Sequence, residues 1–352
     1  MPVKISQIAE RAGLSRQTVS NILNGKGHLF AADTREKVSR ISREMGYRPN
    51  AVARALRSGR FNAVGLVSSM QSHAAGSISL SALQGIEEVA ANHNFHLVSG
   101  RFSDEKLSGA DAAPKILREL LVDGLIINYT YAVPAAFAEQ MVGLSQIPSI
   151  WFNTRREFDC VRPDDFQGGE IVTEYLLSMG HRRIAYLDPR RTEDELLGKG
   201  EIAHHYSVAD RFAGYSKTMR AAGLEPRAIC RLPHLPSKQE VIPLFLEAMA
   251  RKDRPTALVC AAEYGIGPLL LALGDLGLKV PRDLSLAVFA DRDYDLAGLP
   301  IDHVLVPHHK AGRTAVELLL NKIESPAVRF PAEILACEMR RLRSTVAPAP
   351  AL

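Results

Sequence analysis

The chain has 352 residues, of which 46% are hydrophobic and 23% charged, the composition of a globular protein with a substantial core and two or three domains. Its four cysteines are 30 to 77 residues apart, which excludes a disulfide framework and a zinc-ligand spacing. The N-terminus MPVKISQIAE lacks an export-signal pattern and no uncharged apolar run is as long as a membrane span, so we expect a cytoplasmic protein.

The net charge of +4 is unevenly distributed along the chain. Residues 1–60 contain 12 Lys and Arg against 4 Asp and Glu, a net charge of +8, whereas the remaining residues have a net charge of −4. A basic segment on a mildly acidic body is the electrostatic pattern of a nucleic-acid-binding protein. A basic tail without a partner is the alternative, which the helical pattern within the segment disfavours.

Two short helical patterns flank Gly13 within residues 5–24. Gly13 is suited to the positive φ of a sharp turn, and Ser15 stands where an N-cap is needed. This spacing is typical of a helix-turn-helix, although alone it fits a helical hairpin that binds nothing equally well. Apolar residues recur at helical spacing in both patterns: Ile8, Ala9 and Ala12, then Val19, Ile22 and Leu23.

A third helix is predicted to start at Asp33, with Glu36 completing a capping box and Gly46 ending the helix. The following stretch at 50–59, NAVARALRSG, favours helix but is too short to be stable alone. Leu56 lies between arginines with no evident core to enter, which suits insertion between base steps in a minor groove. A flexible linker with a stray leucine is the alternative.

From residue 61 onwards, apolar runs alternate with amphipathic helical patterns. Strands are predicted at 61–69, 95–99, 122–129, 147–152, 182–188, 255–261, 284–290 and 303–306. Helices are predicted at 80–93, 112–121, 134–143, 167–179, 207–222, 238–251, 264–277 and 310–323. This alternation predicts parallel sheets covered by helices on both faces. The rhythm occurs twice, which predicts two lobes with a ligand cleft at the carboxyl ends of their strands.

Together these segments resemble the lactose repressor family of bacterial transcription factors over nearly the whole chain. The resemblance implies a small all-α helix-turn-helix domain followed by an α/β two-lobed domain with parallel sheets, similar to periplasmic binding proteins. Its most specific motifs are AERAGLSRQTVSNILN at 9–24, TREKV at 34–38, GYRPNAVARALR at 46–57, VGL at 64–66, MGHRRIAYL at 179–187, RFAGY at 211–215 and PTALVCA at 255–261.

The resemblance implies boundaries for four parts of the chain. The helix-turn-helix domain is expected at 1–49 and the hinge helix with its linker at 50–60. An effector-binding and dimerisation domain follows at 61–345, and 346–352 forms a flexible tail. The chain is expected to cross between the two lobes near residues 160, 291 and 323.

The resemblance also implies how DNA is bound. The second helix enters the major groove, where its N-terminal residues read base edges, and a hinge leucine is levered into the minor groove. The base readers are Arg16, Gln17 and Asn21. Contacts to phosphates, which fix register, are assigned to Thr18, Ser20, Asn24, Thr34 and Arg35. The hinge contributes Asn50, Ala53, Arg54 and Leu56.

In the family the cleft holds a small effector, usually a sugar or a sugar derivative. Arg211 matches the arginine that grips effector hydroxyls, Asp291 matches a cleft acid after a strand, and Ser69 and Asn153 are further candidates. One departure from the family follows the strand PTALVCA, where the common Asn-Asp pair is Ala262-Glu263. We expect Glu263 or Tyr264 to supply a different contact there.

The sequence thus predicts a homodimeric repressor that binds palindromic operator DNA and responds to a small carbohydrate-like effector. A sugar-binding protein without gene-regulatory action is the second hypothesis. An α/β enzyme is third, because no nucleophile, acid–base pair or cofactor loop is evident. The histidine pairs at 204–205 and 308–309 lack ligand spacing, so no metal is expected, and no cofactor, catalytic residue or membrane contact is predicted.

Overall fold

The computed structural model of the chain describes residues 3–47, 59–69, 78–102, 122–128, 147–199, 205–230, 238–293, 295–296 and 298–348. The chain divides into two compact units, Met1–Asn62 and Ala63–Leu352. Residues 50–58 of the predicted hinge and the predicted helices 112–121 and 134–143 lie outside the described residues. No described helix is long and apolar enough to cross a membrane.

The first unit contains three α-helices whose apolar faces form a small common core. They are α1 (Ile5–Ala12), α2 (Arg16–Asn21) and α3 (Ala32–Glu44). A kinked turn at Ile22–Lys26, in which Gly25 has φ +87°, and a short turn at Gly27–Leu29 lead from α2 towards α3. The predicted helical periodicity is confirmed, since the buried core consists of Ile8, Ala9, Ala12, Val19, Val38 and Ile41.

The turn between α1 and α2 has the predicted chemistry. Gly13 has φ +66°, a conformation that a side chain would strain, and the Ser15 hydroxyl accepts from the Thr18 N–H at 3.0 Å. The predicted capping box of α3 is wrong. That helix starts at Ala32 after Ala31, so Asp33 lies within its first turn, where a carboxylate is favoured by the helix dipole instead of acting as the cap.

The second unit contains two six-stranded sheets, one in each lobe, and all but one of their strand pairs are parallel. Lobe 1 has the strand order β13-β5-β4-β3-β1-β2, and lobe 2 has the order β14-β12-β9-β8-β6-β7. The strands are β1 (Ala63–Ser69), β2 (His96–Phe102), β3 (Gly124–Asn128), β4 (Ser149–Phe152), β5 (Cys160–Pro163), β6 (Ile184–Asp188), β7 (Ala228–Cys230), β8 (Ala257–Cys260), β9 (Ser285–Ala290), β10 (Asp295–Leu296), β11 (Leu299–Pro300), β12 (Asp302–Leu305), β13 (Glu333–Leu335) and β14 (Glu338–Arg340).

Seven helices of this unit are described, and they match the predicted helical segments within three residues except for the short α6. They are α4 (Leu80–Asn92), α5 (Asp165–Ser178), α6 (Glu193–Leu196), α7 (Tyr206–Ala221), α8 (Lys238–Ala250), α9 (Ile266–Asp275) and α10 (His308–Glu324). All eight predicted strands are present. Among the described strands, the prediction missed β5, β7, β10, β11, β13 and β14, which have two to four residues and lie outside the long apolar runs.

Two of the predicted lobe crossings are wrong. The chain passes from β5 in lobe 1 to α5 in lobe 2 at residues 163–165. It returns between β12 and α10, at 306–308 and not near 291, because β12 still pairs with β9 in lobe 2. The last crossing lies between β13 and β14, at 336–337 and not near 323, because β13 pairs with β5 in lobe 1. The first position is decided by the pairing partner of β12, a predicted strand whose lobe the sequence did not reveal. The second is decided by β13, a short edge strand that sequence periodicity does not reveal.

The predicted tail starts too early. The Val346 carbonyl accepts from the Ser285 hydroxyl at 2.9 Å, and the Val346 N–H donates to the same hydroxyl oxygen at 3.0 Å. His181 Nε2 also lies 2.9 Å from this carbonyl. Residue 346 therefore belongs to the body of lobe 2.

In each lobe a pair of helices meets through glycine. A β-carbon on Gly214 of α7 would overlap the Phe166 carbonyl of α5, and one on Gly169 of α5 would overlap the Arg211 carbonyl of α7. Lobe 1 repeats the arrangement with Gly85 of α4 and Gly312 of α10. The helix backbones thus touch directly, and this close approach sets the spacing of the side chains at the cleft ends of the helices.

Replacing Gly214 by Ala should lower the free energy of unfolding by roughly 1–3 kcal/mol, because the methyl group forces α5 and α7 apart. The change can be measured by urea unfolding of the full chain. Gly267→Ala in α9 is the matched control, since its β-carbon has open space and should be neutral or stabilising by up to about 1 kcal/mol. Equal stability of the two variants would contradict the packing argument.

Candidate DNA interface and ligand pocket

Helix α2 presents two of the three predicted base readers on its exposed surface. Arg16 and Gln17 are exposed, and Asn21, one helical turn further on, is half-buried. Gln17 Nε2 donates to Asn21 Oδ1 at 3.0 Å, so these two side chains lie on the same face of the helix. Both side chains keep further donors and acceptors of the type that pairs with base edges.

The residues predicted to contact phosphates are in different environments. Ser20 is only 9% exposed. Asn24 Nδ2 donates to the Ser20 carbonyl at 2.6 Å and to the Ser20 hydroxyl at 3.1 Å. These two hydrogen bonds therefore stabilise the turn that follows α2, and the Ser20 side chain is buried. The Thr18 hydroxyl is bonded to that of Ser15 at 2.9 Å.

Helix α3 carries the other two predicted phosphate contacts. Arg35 is exposed, with its aliphatic stem against Gly27, and Thr34 is half-buried. The hinge candidates Asn50, Ala53, Arg54 and Leu56 lie outside the described residues.

A cavity of about 170 Å³ lies between the two lobes of the second unit, at the carboxyl ends of their strands. This is the position in which parallel α/β sheets bind ligands. Larger hollows of about 630 and 710 Å³ are each bounded by one lobe only, so neither is placed to sense the angle between lobes. The cavity is lined by Ile78, Ser79, Asn128, Phe152, Asn153 and His308 from lobe 1, and by Asp165, His205, Ser207 and Arg211 from lobe 2.

Arg211 is the most constrained side chain of the cavity. Its Nε donates to Asp165 Oδ1 at 2.7 Å, its Nη1 donates to the Ala261 carbonyl at 2.8 Å, and its guanidinium lies 4.3 Å from the Phe289 ring centre. Burial opposes the charge of Arg211, but Asp165 outweighs it and raises the pKa of the guanidinium. The cavity therefore contains a fixed, permanently charged donor group.

Asn153 joins the two lobes through both its backbone and its side chain. Its carbonyl lies 2.8 Å from His205 Nε2, and because a carbonyl only accepts, that nitrogen must carry the imidazole proton. His205 Nδ1 then accepts from the Ser207 hydroxyl at 2.7 Å. Burial lowers the pKa of His205, in keeping with this neutral form. Tyr206 completes the contact by donating to Asn153 Oδ1 at 3.1 Å.

Asp291 makes a second contact between the lobes but does not line the cavity. Its Oδ2 accepts from the Ser81 hydroxyl of α4 at 2.6 Å and lies 3.9 Å from His308 Nδ1 of α10. The neighbouring His308 is the largest cause of a lowered pKa for Asp291; burial opposes this effect and the bond from Ser81 adds to it. The ionised carboxylate of lobe 2 is thus bound at the N-terminal ends of two lobe 1 helices.

The remaining predicted effector residues are not part of the cavity wall. The Tyr264 hydroxyl donates to Asp188, and the Arg190 guanidinium lies 3.9 Å from the Tyr264 ring centre. Burial is the main reason that the pKa of Tyr264 is raised. Glu263 lies 3.7 Å from Arg292, and burial raises its pKa. Ser69 ends β1, and its side chain is outside the description.

Of the six residues predicted to bind the effector, two line the cavity: Arg211 and Asn153. Sequence reasoning missed Asn128, Asp165, His205 and His308. A signal was available for all four, because Asn128 lies at the carboxyl end of a predicted strand and the other three precede predicted helices, where a parallel α/β sheet presents its ligand-binding groups. Among the described residues, no group of three or more His, Cys, Asp or Glu is arranged to hold a metal ion.

Comparisons with known proteins agree with both units. Residues 4–50 match the family described as bacterial regulatory proteins, lacI family, and residues 173–345 match the periplasmic binding protein-like domain. The chain is 27% identical over 326 residues to the transcriptional repressor PurR of Erwinia tasmaniensis, covering 91% of this chain and 90% of the relative. It is 26% identical over 348 residues to the ribose operon repressor of Haemophilus influenzae, covering 96% of this chain and 97% of the relative.

A solved structure is similar along the full length. The lac repressor dimer bound to operator and the anti-inducer ONPF superposes with a TM-score of 0.75 at 25% identity, covering 99% of this chain and 100% of that one. A helix-turn-helix unit joined to a two-lobed body with an interlobe cavity defines a DNA-binding transcriptional regulator. The chain has a lacI-family helix-turn-helix domain and a periplasmic binding protein-like domain, which confirms the family and the fold class predicted from sequence.

Asp291→Asn should lower the free energy of unfolding at pH 7 by about 1.5–3 kcal/mol, the usual contribution of hydrogen bonds to a charged group. The folded-state pKa of Asp291 is depressed, so its contribution is complete above the unfolded value of about 3.9 and is lost as pH falls further. In urea unfolding, the difference in free energy of unfolding between wild type and variant should therefore become smaller below pH 4. Asp275→Asn, at an exposed position of α9, serves as control, and a difference that widened in acid would contradict the assignment.

Proposed function

We propose that the protein is a repressor that binds a palindromic operator as a homodimer and is controlled by a small polar effector in the cavity between its lobes. The lac repressor structure to which the chain is similar is a dimer bound to operator, which supports the assembly. A relative is named a ribose operon repressor, which supports repression and a small polar effector. We further propose that the protein acts in the cytoplasm, and no catalytic role is proposed.

The observation that carries this proposal is a ligand-sized cavity whose walls come from both lobes. Two interlobe contacts, between His205 and Asn153 and between Asp291 and Ser81, border the same cleft. A ligand that binds one lobe angle more tightly than another shifts the population of that angle. A coupling of roughly 1–3 kcal/mol would change operator affinity several-fold to about a hundred-fold.

In this proposal, the hinge connects the lobes to DNA. Its sequence at 50–59 is too short to be a stable helix alone, so its folding on DNA is close to balance. A small change in the distance between the two hinges of a dimer is then enough to decide whether they fold on the operator.

A sugar-binding protein without gene regulation is the alternative function. The two hypotheses differ in what the basic N-terminal unit does. Selection of DNA from a random-sequence library by the full chain tests them, followed by fluorescence anisotropy titration at one fixed salt concentration. A repressor should enrich one palindrome and bind it at least about 1,000-fold more tightly than scrambled DNA. Equal affinity for the selected palindrome and for scrambled DNA would contradict the proposal that the protein regulates genes.

Arg211→Lys should retain operator affinity but weaken the effector response by at least about tenfold, because lysine keeps the charge beside Asp165 and loses the fork that holds several acceptors. The response is the effector concentration at half-maximal change in operator anisotropy. Lys217→Ala is the matched control, since Lys217 lies on the same helix with a surface ion pair to Glu170. An unchanged response in Arg211→Lys would remove Arg211 from the effector site.

Gln17→Ala should relax base preference at one or two operator positions and cost about 1–3 kcal/mol against the preferred base. Its exposed amide also holds Asn21 in place, so positions read by Asn21 are affected as well. The measurement is a repeated DNA selection compared position by position. Gln7→Ala on α1 is the control and should leave the selected sequence unchanged. An identical selection result for both variants would mean that α2 does not read bases through Gln17.

A further inference from the structure

Several acceptors that face the cavity are already engaged by protein donors. Asp165 accepts from Arg211, the Asn153 carbonyl accepts from His205, and Asn153 Oδ1 accepts from Tyr206. A neutral sugar, whose hydroxyls must both donate and accept, competes with these protein donors, whereas a carboxylate needs donors only.

The unused groups are mainly nitrogens. Asn128 is 1% exposed and lines the cavity, yet its Nδ2 has no hydrogen-bond partner among the described residues. Arg211 uses Nε and Nη1, and within the described part of the chain Nη2 has no bond. An unpartnered buried amide costs free energy unless a ligand accepts from it.

Four helices begin at this cavity. Ser79, Asp165, Ser207 and His308 line it, and they stand at or beside the first residues of α4, α5, α7 and α10, helices of 13 to 17 residues. Each helix N-terminus carries a partial positive charge. Asp165 stands at the start of α5, and Asp291 is bound at the starts of α4 and α10. The helix end that still favours an anion is that of α7, which has no acidic residue in its first turn.

The size of the cavity limits the ligand further. Pockets for drug-sized ligands measure about 300–1,000 Å³, and this one measures about 170 Å³. One sugar-sized ring or a short chain fits such a volume. Phe152 and Ile78 supply an apolar wall on which the uncharged part of the ligand packs.

We propose that the effector is a small carboxylic acid, of the size of a single-ring or open-chain sugar acid, whose carboxylate accepts from Asn128 Nδ2 and Arg211 Nη2. This inference rests on the proposed function, because it names the chemical class that the same cavity binds. The rest of the ligand lies towards Phe152, where its uncharged atoms pack on the ring.

The test is calorimetric titration of the full chain with matched acid and neutral pairs. The pairs are D-glucuronate with D-glucose, D-galacturonate with D-galactose, and D-ribonate with D-ribose. At least one acid should bind ten times or more tightly than its neutral partner. Preference for a neutral sugar, or binding by none of the three acids, would overturn the proposal.

Asn128→Asp places a carboxylate where the amide donor stands. It should weaken binding of the preferred acid by at least about tenfold through repulsion and leave the neutral partner within about threefold. Asn128→Ala removes the donor without adding charge and keeps the test valid if the aspartate variant unfolds. Asn321→Asp, exposed on α10, is the charge-matched control. Equal loss of acid and neutral ligand would show that Asn128 only supports the cavity wall.

Operator anisotropy on the same preparations separates this inference from the proposed function. If a neutral sugar binds tightly and changes operator affinity, the carboxylate proposal fails and the repressor proposal stands. If an acid binds as expected but operator affinity does not change, the ligand class stands and effector control of DNA binding fails.

Discussion

The ion pair between Arg211 and Asp165 is the constraint on which the cleft depends. Both side chains are largely buried, and removing two charges from water is costly unless their geometry is good and their remaining polar atoms are bonded. Here the pair is 2.7 Å long, and the guanidinium has a carbonyl and an aromatic ring as further partners. This geometry requires α5 and α7 to touch, which Gly169 and Gly214 permit. A stability requirement of lobe 2 thereby fixes a charged donor at the ligand site.

Two of the contacts between the lobes follow a common pattern. In each, a group at the end of a strand in one lobe binds the first turn of a helix in the other: Asn153 binds His205, and Asp291 binds Ser81. Both contacts are directional hydrogen bonds, so they favour a defined angle between the lobes. A ligand placed among them competes for the same donors, which is the physical basis for coupling ligand binding to lobe geometry.

Parts of the chain that follow a strong local pattern could be predicted. The periodicity of Ile8, Val19 and Val38, the turn at Gly13 and the cap at Ser15 are local physics, and the structure agrees. The eight predicted strands were recognisable for the same reason, since each lies in an apolar run. The lobe crossings were not, because they depend on strands such as β13, whose three residues form a strand only by pairing with β5. Strands of that length have no signal apart from their partner.

The sequence by itself determined the basic helix-turn-helix unit, the alternating α/β body and the family, because charge, periodicity and motif spacing are properties of short segments. Only the tertiary structure decided which side chains meet at the cavity. Asn128, Asp165, His205 and His308 come from segments up to 180 residues apart and share a site because four helices begin at the same cleft. Asp291 and Tyr264, equally plausible in sequence, are instead committed to Ser81 and Asp188. Whether a polar group is bonded within the protein or available to a ligand depends on its tertiary partners, which the sequence alone does not show.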